Sequence, residues 1–361
     1  MIREFAQKRP RPRVALFIGA LCLSGVILGT NEITLNSLRE NTLRSVEANL
    51  TSQGIVLAEE TDRSFKVLDL ALSMVADHIA RLGVNNSEAL QRDLAGYEVH
   101  QWLRERSVGM THVDAITLIS AHGKLINFSR YWPIPDVDVS DRDYFQALKA
   151  DASLATFISK PVQNRSTGTW TIYLARRLNT PDGDFMGLVL GAITLQYFEE
   201  FFKSIALHEG SAVALLRQDG TLLARYPRSD DVGKIVPGMT DLRPARTPTL
   251  VRVKSPFDRQ MRIVYPKPLA NYPLRIAVSQ TQESALHSWR SLARLSTAMA
   301  ASSTVLVLLM ALVVSWWWRK QESLTEELRQ QNVRFDTALD NMGTGLCMFD
   351  AEKRLVVCND R

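Results

Sequence analysis

The chain has 361 residues, a length that predicts two or three domains. Hydrophobic residues make up 46% and charged residues 22%, which excludes wholesale disorder and a low-complexity chain. The 43 Lys and Arg residues outnumber the 38 Asp and Glu residues by five, an excess too small to indicate nucleic-acid binding.

The apolar residues concentrate in two uncharged runs that predict transmembrane helices. The first lies at residues 14–30 and follows a basic tail, residues 1–13. The second, residues 295–318, ends in three tryptophans, whose rings favour the level of the lipid headgroups. About 20 apolar residues span the hydrocarbon core as a helix, so the second run is long enough and the first is marginal.

Basic residues before the first run and after the second predict how the chain is oriented. Under the positive-inside rule both termini are cytoplasmic, and residues 31–294 lie outside the bacterial inner membrane. Cys22, Cys347 and Cys358 all fall outside that segment, so no disulfide is expected in it. A cleaved signal peptide is the alternative for the first run, although no small-residue cleavage site follows Leu28.

Residues 31–86 are predicted to form a long amphipathic helix that ends at Gly83. The segment has no Pro between Glu32 and Leu82, and its apolar residues recur at helical spacing. They include Leu35, Leu38, Val46, Leu50, Leu68, Ala71, Val75 and Ile79. This face is wider than one partner needs, so a homodimer is expected through residues 36–82.

A shorter helical stretch is expected over residues 87–106, and β-type runs follow. Residues 115–119 and 124–128 flank a His-Gly turn and predict a hairpin. A helix is predicted over residues 141–148, with Ser140 or Asp141 as its N-cap. The next predicted strands cover residues 156–159, 169–178 and 187–195.

A weaker copy of this pattern begins near residue 211. Strands are predicted over residues 212–216, 221–224, 251–254, 261–266 and 274–279, and a helix over residues 282–294 leads to the second apolar run. Because short turns join many of these strands, we expect antiparallel sheets and an α+β fold class.

Residues 140–198 resemble the membrane-distal half of a double Cache sensor domain. The matching features are the motif Arg142-Asp143-Tyr144-Phe145, the strand at residues 158–161, the strands at 169–178 and 187–195, and Tyr197-Phe198. The resemblance covers about residues 31–290 and is carried mostly by the first half. It implies two PAS-like antiparallel-sheet subdomains on a long N-terminal helix, a distal one at residues 87–205 and a proximal one at 206–290. It also implies an extracytoplasmic ligand sensor of a bacterial receptor.

The remaining residues are predicted to lie in the cytoplasm. Residues 319–340 carry an apolar stripe, Leu324, Leu328 and Phe335, which favours a coiled-coil connector. Residues 341–361 are similar to the opening of a PAS domain, which needs roughly a hundred residues, so we expect the chain to be a fragment or a truncated gene product. In proteins that resemble it, a diguanylate cyclase or phosphodiesterase often follows, and a histidine kinase less often.

The candidate ligand-binding residues are Arg142, Tyr144, Trp132, Trp170 and Tyr173. The resemblance implies that Arg142 and Tyr144 contact ligand, and the three other aromatic residues are candidates for the pocket wall. The planar guanidinium of Arg142 suits a carboxylate, and an apolar wall strengthens that pairing by excluding water.

Alternatives remain open for this site. Tyr144 and Phe145 are also typical core residues, and Arg142 has Asp141 and Asp143 as neighbouring ion-pair candidates. The amine-binding version of the family carries an Asp near Ala192 and Thr194, and its replacement here favours an organic acid, or no ligand, over an amine. Lys160, Arg165 and Arg176 would favour an anion as well.

No motif for catalysis, cofactor binding or metal binding stands out in the sequence. It lacks a Walker loop, a dinucleotide fingerprint and a nucleophile elbow, and its six histidines are scattered. We therefore predict a membrane sensor of a small organic acid that controls a cytoplasmic output, with cyclic-di-GMP turnover favoured. The alternatives are the input region of a two-component histidine kinase or chemoreceptor, and a membrane protein whose Cache fold binds no small molecule. An enzyme within this chain is disfavoured. The expected partners are a small molecule, the lipid bilayer and a second copy, without nucleic acid.

Overall fold

The computed structural model describes residues 12–206, 208–237, 250–340, 347–350 and 354–358. Contacts divide the chain into two compact units, Met1–Arg39 with Trp289–Arg361, and Glu40–Ser288. Most of the predicted basic tail and much of the predicted PAS opening, including residues 341–346, lie outside the described residues.

Two long helices run through the first unit. Helix α1 covers Pro12–Arg81 and helix α7 covers His287–Asp340, and each contains a stretch long and apolar enough to cross a membrane. Inside the apolar runs 14–30 and 295–318, every buried position holds a small residue, as is usual where membrane helices pack closely. These positions are Ala20, Ser24, Ala300, Ala311 and Ser315.

The helices are longer and more continuous than the sequence suggested. The polar residues after the first apolar run do not interrupt α1. The Thr30 hydroxyl, for example, donates to the Val26 carbonyl oxygen one turn earlier at 2.7 Å, so its hydrogen bond is made within the helix. The predicted return helix, residues 282–294, instead breaks near Leu286, where a short helix ends and α7 begins.

After the predicted connector, strands β12 (Cys347–Phe349) and β13 (Leu355–Cys358) pair antiparallel. The assignment of this hairpin to a PAS domain stays a prediction.

The second unit contains two antiparallel sheets. The hydrogen-bonded neighbours of the first sheet have the strand order β2-β1-β6-β5-β3. Strand β4 also pairs with β5. Its strands are β1 (Ala115–Ser120), β2 (Leu125–Phe128), β3 (Thr156–Ile158), β4 (Val162–Gln163), β5 (Trp170–Asn179) and β6 (Phe185–Thr194). Its helices are α2 (Ser87–Leu94), α3 (Tyr97–Ser107), α4 (Asp143–Ala150) and α5 (Leu195–Ile205).

The second sheet has the order β8-β7-β11-β10-β9. Its strands are β7 (Ser211–Arg217), β8 (Leu222–Tyr226), β9 (Val251–Lys254), β10 (Met261–Pro268) and β11 (Leu274–Thr281), and helix α6 (Gln282–Ala285) follows. Two antiparallel sheets after a long N-terminal helix confirm the predicted α+β fold class.

Helix α1 supplies the centre of the core in this unit. Its side chains Leu57, Phe65, Leu68 and Leu72 are fully buried, in one cluster with residues of both sheets. Neighbouring residues of a strand point to opposite faces, so Val189 of β6 joins this cluster while Leu190 joins a second one. Each sheet therefore packs one face toward α1 and encloses a smaller cluster with its other face.

Candidate ligand-binding site

The first sheet encloses a cavity of about 40 Å³ on the face opposite α1. Ala115 of β1 and Ala192 of β6 are register partners, and their small side chains leave room beside each other. Helix α4, the residue before it and the loop after β4 supply most of the polar wall. The polar lining residues are Thr117, Arg130, Arg142, Tyr144, Asn164, Arg165, Ser166 and Tyr173.

Arg142 immediately precedes α4 and lines this cavity. The predicted N-cap was wrong: Arg142 takes the cap position without a side-chain cap bond, and the Asp141 carboxylate pairs with Arg165 instead. The Arg142 Nη2 donates to the Gln163 carbonyl oxygen at 3.0 Å.

The two acidic neighbours of Arg142 are engaged elsewhere. Asp141 pairs with Arg165 at 2.6 Å, and Asp143 lies 3.4 Å from Arg217 of β7. Within the described part of the chain, Arg142 has no ion-pair partner, so neither of the pairings considered from the sequence forms. Its guanidinium is a cation at the cavity wall without a carboxylate.

Arg130 is the second guanidinium of the wall. It forms an ion pair with Asp114, and its Nη1 donates to the Ser166 hydroxyl at 3.3 Å. Burial lowers the pKa of Arg130, yet an arginine stays protonated at any pH at which the protein folds.

Tyr144 and Tyr173 form the aromatic wall, with ring centroids 5.4 Å apart. Tyr144 is 1% exposed and Tyr173 is 9% exposed. Burial raises the pKa of both phenols, so both remain neutral at physiological pH. A neutral phenol is a hydrogen-bond donor that adds no negative charge to the site.

The wall therefore carries a positive charge. Arg130, Arg142 and Arg165 line the cavity, and only Asp114 and Asp141 pair with them among the described residues. An arginine fork with phenol donors is suited to an anion with two oxygen atoms. No group of three His, Cys, Asp or Glu side chains in the described ranges is placed to hold a metal.

The structure brings three of the five candidate residues together, Arg142, Tyr144 and Tyr173. Trp132 lies outside the cavity, 42% exposed and 5.7 Å from the His100 ring. Trp170, 37% exposed, lines surface grooves instead. Both tryptophans are close to the motif in sequence, but their side chains do not line this cavity.

Sequence reasoning missed Arg130, and the signal for it was weak because a single Arg after a strand is common. Arg165 had been noted as a positive charge, and it lines the cavity. Arg176, noted with it, instead pairs with Asp69 of α1 at 2.7 Å.

The sequence profile of the Cache domain family dCache_1 matches residues 34–289, so the chain belongs to this family. The match spans both sheets and the part of α1 that packs on them. The family and the two helices long and apolar enough to span a membrane together indicate a membrane-anchored sensor.

The solved structures similar to this chain include three domains of receptors and kinases. The extracellular domain of a candidate histidine kinase, rpHK1S-Z16, is 28% identical, with a TM-score of 0.58, and the match covers 68% of this chain and 98% of that one. The periplasmic sensory domain of the Campylobacter jejuni chemoreceptor Tlp1 is 11% identical, with a TM-score of 0.53, covering 68% of this chain and 98% of that one. The ligand-binding domain of the Pseudomonas fluorescens chemoreceptor CtaA, solved with L-isoleucine, is 19% identical, with a TM-score of 0.49. The match covers 70% of this chain and 98% of that one. No curated protein matches the chain.

Proposed function

We propose that this chain is the sensing and transmembrane part of a bacterial receptor, and that it binds a small carboxylate in the first-sheet cavity. The observation that carries the proposal is Arg142, a guanidinium at the cavity wall whose acidic neighbours Asp141 and Asp143 pair with other arginines. A carboxylate ligand supplies the missing anion and accepts two parallel hydrogen bonds.

The charges of the cavity favour a carboxylate without an amine. An ammonium group needs an anionic partner, and Asp114 and Asp141 are already paired with arginines. Ala192, near the position where amine-binding relatives carry an Asp, lines the cavity with a methyl group. An amino acid would leave its ammonium group unpaired in this environment.

The cavity size favours a ligand of few atoms. Each water needs roughly 10–15 Å³ of such space, so a volume of about 40 Å³ corresponds to about three waters. Two- and three-carbon acids, of which acetate is the smallest, are therefore favoured over larger acids.

Asp143 offers a route from the ligand to the second sheet. It follows Arg142 directly, accepts the Lys160 backbone N–H at 3.0 Å and pairs with Arg217, whose Nη1 also donates to the Ile158 carbonyl oxygen at 2.9 Å. A ligand that binds one arrangement of this network better than another shifts the population toward it. The shift then reaches α1 and α7, which lead to the membrane and to the predicted connector.

The membrane topology and the dimer that we propose are those expected from the sequence. The described Cache part lies in the periplasm, both termini are cytoplasmic, and two copies pair through the N-terminal helix. The proposal retains the domain boundaries and the PAS opening expected from the sequence, with cyclic-di-GMP turnover as the favoured output. A histidine kinase output is the second candidate, because the 28% identical rpHK1S-Z16 domain comes from a candidate histidine kinase.

The test is calorimetry on the full chain in lipid nanodiscs with acetate, propionate, lactate and alanine. At least one acid without an amine is expected to bind, and Arg142→Ala is expected to abolish binding at this site. Arg142→Lys keeps the charge without the planar fork and should give an intermediate affinity. Arg104→Ala, on the exposed face of α3, is the matched control. Equal affinity in Arg142→Ala and the wild type would reject the site.

A further inference from the structure

The second sheet encloses its own cavity, of about 30 Å³, on the face opposite α1. The room arises from small residues on the two central strands. Ala214 is the register partner of Ala277, and Ala212 is the partner of Ser279, and all four line the cavity. Four neighbouring small side chains on one face leave space that larger residues would fill.

Two arginines project into this space, Arg225 from β8 and Arg262 from β10, and each is 7% exposed. Arg262 is fully engaged. Its Nε and Nη2 donate to the Asp258 carboxylate at 3.0 and 2.5 Å, and its Nη1 donates to the Gly210 carbonyl oxygen at 2.9 Å. Asp258 is thereby used as the counter-ion of Arg262.

Arg225 is as deeply buried but has no carboxylate of its own. Its Nη1 donates to the Pro227 carbonyl oxygen at 2.5 Å, and its guanidinium lies 4.4 Å from the centre of the Phe257 ring. The nearby Asp231 is held by Lys234 at 3.0 Å. Across the described residues, no ion pair to Arg225 forms.

Among the described residues next to Arg225, the charges do not balance. Arg225, Arg262 and Lys234 are three cations, and Asp231 and Asp258 are two anions. Burial, with the charge of Arg262, lowers the pKa of Arg225, but a guanidinium cannot lose its proton at physiological pH. A buried charge without a partner is unfavourable, so an entering anion would relieve the imbalance.

We infer that the second-sheet cavity is a separate binding site for a small monocarboxylate, held by the free donors of Arg225 and covered by Phe257. The cavity volume corresponds to about two waters, which favours the smallest carboxylates, formate and acetate. The valines that line it, Val253 and Val264, suit a hydrogen or a methyl group on the carboxylate carbon. This site does not depend on the proposed ligand of the first sheet.

The test isolates the second site by working in the Arg142→Ala chain, in nanodiscs, so that first-cavity binding is removed. Calorimetric titration with sodium acetate, against sodium chloride at equal ionic strength, is expected to show one remaining acetate site. Adding Arg225→Gln should weaken it about 10–100-fold, the range expected when a charge-assisted pair is lost. Arg228→Gln, which removes a neighbouring exposed charge, should leave it unchanged.

A second variant separates binding from folding. Ala214→Val fills part of the cavity and keeps both arginines in the chain, and it is expected to block acetate while the chain remains folded. Acetate binding that is unchanged in both Arg225→Gln and Ala214→Val would overturn the inference. So would the absence of any acetate binding to the Arg142→Ala chain. Neither result bears on the first cavity, which is tested by comparing Arg142→Ala with the wild type.

Discussion

Arg142 and Arg225 each line a cavity without a carboxylate partner among the described residues. Arg130 pairs with Asp114, and Arg262 pairs with Asp258. The sequence could indicate Arg142 through its motif, but it could not show that Asp141 and Asp143 form ion pairs with other arginines. Which charge remains unpaired is decided by tertiary neighbours such as Arg217, which lies far away in sequence.

The Tyr144 hydroxyl is expected to contribute to ligand binding and not to the stability of the fold. No hydrogen bond joins it to another described residue, although its ring is fully buried. Tyr144→Phe should therefore change the free energy of unfolding by less than about 0.5 kcal/mol, while carboxylate affinity falls about tenfold. Urea denaturation and calorimetry measure the two quantities. A large loss of stability with unchanged affinity would assign the hydroxyl to the core.

The Arg130–Asp114 pair is expected to stabilise the cavity wall. Replacing Arg130 by Met leaves the Asp114 carboxylate partly buried without its partner. Breaking fully buried pairs costs about 3–5 kcal/mol, and because both side chains retain some exposure we expect about 2 kcal/mol here. Urea denaturation of Arg130→Met measures it, with Arg104→Met as the control. If the double variant with Asp114→Asn is as unstable as Arg130→Met, the unpaired carboxylate is not the cause.

At the scale of elements, hydrophobic patterning predicted most strands and the end of the N-terminal helix at Gly83. Helix α1 ends at Arg81, and Gly83 adopts a positive φ of 73°. It missed β4, a strand of two residues too short to leave a pattern. It also missed α5, although Leu195, Phe198 and Phe202 follow a helical period, because the strand pattern was extended across Leu195. The stretch 87–106 is two helices because Gly96 caps the second.

Gly191 of β6 permits the close approach of α1 to the first sheet. A Cβ at this position would collide with the Leu68 side chain. Gly191→Ala is therefore expected to lower the free energy of unfolding by about 1–3 kcal/mol. Adding Leu68→Ala should relieve the collision, so a double-mutant cycle without coupling between the two changes would contradict this packing.

At the scale of the whole molecule, the sequence identified the family and the fold class because residues near Arg142 carry a specific motif and both sheets repeat one pattern. The cavities on the face of each sheet opposite α1 could not be predicted in this way. The cavities depend on which small residues become register partners, such as Ala214 with Ala277, and register is a property of the folded sheet.

Acid is expected to destabilise the second sheet over a defined range. Burial opposes the change, but hydrogen bonds from Arg217 to Asp219 and from Arg262 to Asp258 lower the pKa of each carboxyl to about 2 from 3.8. Between about pH 2 and 4 the unfolded chain binds protons that the folded chain does not, so stability is complete above pH 4 and falls toward pH 2. Thermal melts across this range measure the slope. Asp258→Asn should flatten it, and an unchanged slope would contradict the assignment.

The central claim is that the Cache part faces the periplasm while the far end of α7 faces the cytoplasm. With the three native cysteines replaced by Ser, single cysteines are introduced as Asp182→Cys in the exposed turn between β5 and β6, and as Glu327→Cys in α7. A membrane-impermeant maleimide is then applied to spheroplasts, before and after lysis. Position 182 should be labelled in intact spheroplasts, and position 327 only after lysis. Protection of position 182 until lysis would contradict the receptor.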